Sequence, residues 1–167
     1  MYLYDYKKTP YHGGSLRLIA KKKKNLKERN KMKIFNSIRK EEEYGLFEKK
    51  IYEKINKKLE RRKKILHKKI NYYKKKDYKV AGIGAAAKAN TFLCYFNLNN
   101  KIIDFVTDAS KFKIGKFTPK TRIPIYADNI FKKKNMKIVA IILSWNISKM
   151  LKIKLKKLNN NLKFINL

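Results

Sequence analysis

The chain has 167 residues, enough for one domain, and 44% of them are hydrophobic, enough for a core despite a formal net charge of +33. A single cysteine, Cys94, excludes an intrachain disulfide and suits a reducing compartment, and one Cys with two His is too few for a metal cluster. The longest wholly apolar run, Ile138 to Leu143, falls far short of the roughly 20 residues of a membrane helix, and the opening MYLYDYKK has no signal-peptide core, so a cytoplasmic protein without a membrane partner is expected.

Charge of this size invites a nucleic-acid reading, because cationic side chains that neutralise phosphates release counterions and bind without regard to sequence. Yet only six of the 45 cationic residues are Arg, whose planar fork suits phosphates and base edges. The abundant Lys, Asn, Ile, Tyr and Phe all have A/T-rich codons. Codon bias is therefore the preferred source of the basicity, with non-specific nucleic-acid binding as its by-product.

In chain order, 1–20 form a polar-aromatic segment with Pro10, a Gly13–Gly14 pair and a short strand from Leu16 to Ala20. Residues 21–78 form a basic arm. Phe47, Ile51, Ile55, Leu59, Leu66 and Ile70 recur at helical spacing there and predict one long amphipathic helix lying on a domain by its apolar stripe. From Lys79 to the end the texture is α/β. Strands are expected at Val80–Ile83, Ile102–Val106, Lys137–Leu143 and Leu162–Ile165. Helices are expected from Ala85 to Tyr95, from an Asp128 cap to Lys134, and from an Asn146 cap to about Lys157. Such alternation predicts a Rossmann-like, mainly parallel sheet with flanking helices, preceded by the long basic helix.

Gly82-Ile83-Gly84-Ala85-Ala86-Ala87 fits G-x-G-x-x-A at a strand-to-helix turn. There the first glycine suits a tight turn, the second admits a ligand to the backbone, and the free N–H groups of the helix attract phosphate. Lys88 follows in the first helical turn, Asp108 ends the second strand, and Trp145 and Asn146 follow the third. All four fall at the carboxyl edge of the sheet, where open α/β sheets bind ligands, and they are expected to line one cleft. Trp145 serves there either to stack on a base or sugar or as a lid on the sheet edge. His67, mid-helix, is expected to face solvent. Neither a catalytic constellation nor a metal site can be argued from the residues.

Several blocks occur in order: HGGSLR at 12–17, VAGIGAAAKANT at 80–91, Phe105 to Asp108, Lys113-x-Gly115-Lys116-Phe117-Thr118-Pro119, Arg122-Ile123-Pro124-Ile125, and Ser144-Trp145-Asn146. Together they resemble the C-terminal part of the S-adenosylmethionine-dependent sugar C-methyltransferases, which act on nucleotide-linked deoxysugars. The resemblance implies a substrate domain holding the nucleotide-sugar, with His12, Gly82, Gly84, Ala85, Lys88, Asn90, Thr91, Asp108, Trp145 and Asn146 as its binding residues. It implies no cofactor bound by this chain, S-adenosylmethionine being needed by the complete enzyme, and a partner chain carrying the methyltransferase domain. The family usually has Gly at the positions of Ala89 and Lys120. Two other readings stand beside this one: a basic nucleic-acid-binding accessory protein using 21–78, and the remnant of a broken gene.

Overall fold

The computed structural model describes residues 1–22, 28–133 and 135–166, without the side chains of His12, Glu28 and Arg29. They form two compact units, Met1–Leu59 and Glu60–Leu167. In the first unit, β1 (Tyr2–Thr9) and β2 (Ser15–Lys21) form an antiparallel hairpin. Its turn uses Gly13 and Gly14 at φ 87° and 125°, and the Ser15 hydroxyl donates to the Tyr11 carbonyl at 2.9 Å. Helix α1 (Glu28–Glu43) is tied to β1 through Lys33, whose ammonium donates to the Asp5 carboxylate and the Tyr6 carbonyl, each at 2.5 Å.

The single long helix expected in the basic arm is two helices, α1 and α2 (Lys49–Lys74). The break lies at Gly45, φ 71°, where the Gly45 N–H donates to the Glu42 carbonyl and the Leu46 N–H to the Glu41 carbonyl, a Schellman ending. Only the later part of the apolar stripe is covered: Leu66 and Ile70 are fully buried, whereas Phe47 is 68% and Ile55 44% exposed. His67 is not solvated as expected. Its Nε2 lies 2.7 Å from the Phe96 carbonyl, which can only accept, so Nε2 carries the proton.

The second unit is an α/β layer structure. Its strands are β3 (Lys79–Ile83), β4 (Phe105–Thr107), β5 (Ile125–Tyr126), β6 (Ile138–Ile142) and β7 (Lys163–Ile165). They form a five-stranded sheet in the order β5-β4-β3-β6-β7, every pair parallel. Period-two alternation sends Val80, Val106, Val139 and Ile141 to one face, against Leu66 and Ile70 of α2 and Ala89 and Leu93 of α3 (Ala87–Tyr95). It sends Ala81, Ile83, Phe105, Ile138 and Ala140 to the other face, against Leu155 of α4 (Ser148–Leu158) and Phe131 of a 3-10 turn, Asp128–Lys132. Both faces are covered, which is why β3 and β6 read as continuous apolar runs.

Three helix starts differ from expectation. Helix α3 begins at Ala87, because Ala86 before it is extended, at φ −78° and ψ 162°. Asp128 does not cap a helix: the turn it opens is 3-10, and its carboxylate accepts from Lys154 Nζ at 2.8 Å. Lys134, the expected end of that helix, lies outside the described residues. Asn146 does not cap α4 either. It sits in a 3-10 turn, Trp145–Ile147, with its side chain turned to Lys88.

Candidate functional site

The strand order reverses between β3 and β6, since the chain runs outward through β4 and β5 and then returns to the opposite side of β3. The crevice beyond the carboxyl ends of those two strands is the topological switch point, the usual ligand position in such sheets. The turn after β3 and the turn after β6 meet there. Leu143 and Ser144 both donate backbone N–H bonds to the Ile83 carbonyl, at 2.9 and 3.3 Å, and the Gly84 N–H donates to the Thr107 carbonyl at 2.7 Å.

The two glycines of the motif have different work. Gly82 lies inside β3, and a Cβ there would be 2.8 Å from Leu143 Cδ1 and 3.0 Å from Val106 Cγ2, so its missing side chain is replaced by core. Gly84 makes the turn, at φ 92°, and a Cβ there would overlap the Ser144 hydroxyl. The backbone that approaches this turn is that of β6's own connection.

Asp108 braces the turn from below. One oxygen accepts the Ala85 N–H at 2.8 Å and the Lys113 ammonium at 3.3 Å, while the other accepts the Ser110 N–H at 2.9 Å. Its side chain is 14% exposed, so this carboxylate is committed to the loop.

Beyond the brace the expected residues separate into two groups. A pocket of about 270 Å³ lies against α3, floored by Ala85, Ala86, Ala87 and Ala89, with Asn90 and Leu93 deeper along the helix. Its opposite wall is the connection between β4 and β5, through Lys113, Lys116, Phe117, Thr118 and Pro119. That wall is firm. Phe117 bridges Pro124, and the buried Thr118 hydroxyl accepts the Ile123 N–H at 2.9 Å and meets the Thr121 hydroxyl at 2.7 Å. The Asn90 side-chain oxygen is buried and has no hydrogen-bond partner among the described residues.

The second group lies where α3 faces the turn after β6. Lys88 Nζ donates to Asn146 Oδ1 at 2.5 Å and stands 4.8 Å from the centroid of the Trp145 ring, which is 53% exposed. Lys88, Trp145 and Asn146 therefore come together, while Asp108 accepts from Ala85, Ser110 and Lys113. Ala85 and Asn90 line the pocket, Thr91 is exposed on α3 outside it, and the His12 side chain lies outside the described ones.

The wall residues Lys113, Lys116 and Phe117 were not among the expected binding residues. The signal for them was the length of the 108–124 connection, which carries no regular helix or strand and leaves the carboxyl end of a strand. Lys120 and Arg122 at its tip adopt φ 61° and 55°, left-handed conformations that glycine takes more readily than a lysine or an arginine.

A comparison with curated proteins finds no match. A family model described as the C-methyltransferase C-terminal domain matches residues 10–166, spanning the hairpin's turn and second strand, both arm helices and the whole sheet. The chain belongs to the C-methyltransferase C-terminal domain family.

Proposed function

We propose that this chain is the nucleotide-sugar-binding part of a sugar C-methyltransferase, the methyl donor being bound by a domain outside these residues. The observation that carries the reading is the pocket between α3 and the β4–β5 connection, with an alanine floor, an aromatic rim at Phe117 and two lysines, Lys113 and Lys116, in one wall. A deoxysugar has few hydroxyls and offers an apolar face to alanines. A diphosphate is suited by the lysines and by the start of α3, which no side chain caps. The unpartnered Asn90 oxygen is an acceptor for a ligand hydroxyl.

The same residues fit S-adenosylmethionine poorly. An adenosyl ribose wants a free carboxylate at the end of the second strand of such a sheet. Here Asp108 already accepts from Ala85, Ser110 and Lys113. The sulfonium is a cation, and the ionisable side chains of the pocket wall are lysines. In the complete enzyme the methyl donor supplies the transferred group; this chain's residues bind and orient the acceptor.

Isothermal titration with a panel of nucleoside-diphosphate deoxysugars tests the reading. A charge-assisted contact is worth about 1.5–3 kcal/mol, so Lys116→Ala is expected to weaken binding by roughly ten- to a hundredfold. Lys75→Ala, exposed after α2, is expected to bind like the parent. Binding of no member of the panel, or equal affinity for parent and Lys116→Ala, contradicts the proposal.

A further inference from the structure

Among the described strands β7 pairs only with β6, and a broad groove of about 770 Å³ runs beside this open edge of the sheet. Four lysines line it: Lys137 just before β6, Lys152 and Lys156 on α4, and Lys163 on β7. Tyr73, Tyr78 and Phe164 lie among them, and no Asp or Glu lines the groove. None of the four ammonium groups is paired to a carboxylate among the described residues.

The cations stand over the rings. Lys163 Nζ is 5.0 Å from the Tyr78 centroid and Lys152 Nζ 5.7 Å from that of Phe164, while Tyr73 and Tyr78 meet edge to face at 5.2 Å. A second hollow of about 360 Å³ shares Lys152 and Asn166 with the groove and adds Arg62 and Trp145. Tyr78 precedes β3 and Trp145 follows β6, so the combined track runs from the amino to the carboxyl side of the sheet. Cations and aromatic faces therefore alternate along an open path instead of closing around one small molecule.

Net charge would not single this surface out, since lysines cover the chain. The combination does, because a cationic groove interleaved with aromatic side chains is how proteins hold unpaired bases and their phosphates together. We propose that the track along β7 binds single-stranded nucleic acid without sequence preference. The lysines and Arg62 follow the phosphates, and Tyr78, Phe164 and Trp145 offer faces to bases. A duplex hides its base faces, and an acidic peptide would engage the lysines and leave the rings unused. This proposal is independent of the nucleotide-sugar reading.

Fluorescence anisotropy of a labelled oligouridylate of roughly 12 nucleotides, within the span of one such binding surface, tests it on the full chain. The variant Lys152→Gln/Lys156→Gln/Lys163→Gln is compared with Lys50→Gln/Lys54→Gln/Lys57→Gln, which loses the same charge from exposed positions on α2. Circular dichroism verifies that both fold. The groove variant is expected to lose about tenfold or more in affinity at about 100 mM salt and to flatten the log–log salt slope by about two, against less than threefold for the control. Emission of Trp145, the sole tryptophan, is expected to be quenched by the RNA and not by polyglutamate. Equal losses in the two variants overturn the proposal, because diffuse charge would then suffice. So does polyglutamate that displaces the RNA as well as unlabelled RNA does, or emission that the RNA leaves unchanged.

Discussion

Replacing Gly84 by alanine tests why the turn after β3 needs glycine. Its φ of 92° is a conformation L side chains rarely adopt, and a built Cβ overlaps the Ser144 hydroxyl and comes within 3.0 Å of Ser144 Cβ. The backbone cost is about 1–2 kcal/mol, and forcing a methyl into an occupied space adds about 1–3 kcal/mol. The sum, about 3 kcal/mol, is a large part of the 5–15 kcal/mol typical of a domain. Urea denaturation followed by far-ultraviolet circular dichroism measures it. The decisive arm is a double-mutant cycle with Ser144→Gly, which clears the space but leaves φ as it is. The clash is then relieved, and a coupling of about 1 kcal/mol or more is expected in the double variant. Strictly additive effects would refute the reasoning, since Ser144 would then not be what excludes a side chain at Gly84.

Asp108→Ala removes an acceptor of three hydrogen bonds from a mostly buried position, and a loss of about 3 kcal/mol is expected by thermal denaturation. Lys120→Gly relieves a left-handed lysine at φ 61° while loosening the unfolded chain, so a net gain of about 0.5 kcal/mol is expected in the urea midpoint. Tyr72 accepts from the Lys76 ammonium at 2.7 Å, and that hydrogen bond, followed by the charge itself, lowers its phenol below the ordinary tyrosine range. A lowered phenol contributes stability in alkali that is lost as pH falls through its folded value. Near-ultraviolet titration is expected to show one early tyrosine, restored to the ordinary range by Lys76→Met.

The parallel sheet was legible because β3 and β6, covered on both faces, had to be continuous apolar runs, and because the glycine turn marked the passage from β3 to α3. What escaped was set by tertiary partners. The start of α3 moved to Ala87 because the loop from Gly84 stays extended through Ala86, where Asp108, distant in sequence, holds the Ala85 N–H. The two-residue β5 carries too short a signal to be seen alone, and β1 is a strand of tyrosines and lysines recognisable only through its pairing with β2. Gly45 was a readable helix stop, standing just before Phe47, the first residue of the apolar stripe. At the site, the motif indicated the right turn, but not that Gly82 serves the core or that Asp108 is already committed. The Lys113–Pro119 wall was present as a sequence block and lacked only a reason to face α3, which the pairing of β5 beside β4 supplies.

The central claim is that the pocket beside α3 takes a nucleotide-linked deoxysugar. An amide-resolved magnetic resonance titration of the nitrogen-labelled chain tests it most directly, with such a ligand and, separately, with S-adenosylmethionine. The account predicts that the nucleotide-sugar moves the amides of Ala85 to Asn90 and of Lys113 to Thr118, and that S-adenosylmethionine moves neither set. Shifts of those amides with S-adenosylmethionine, and none with the nucleotide-sugar, would contradict it.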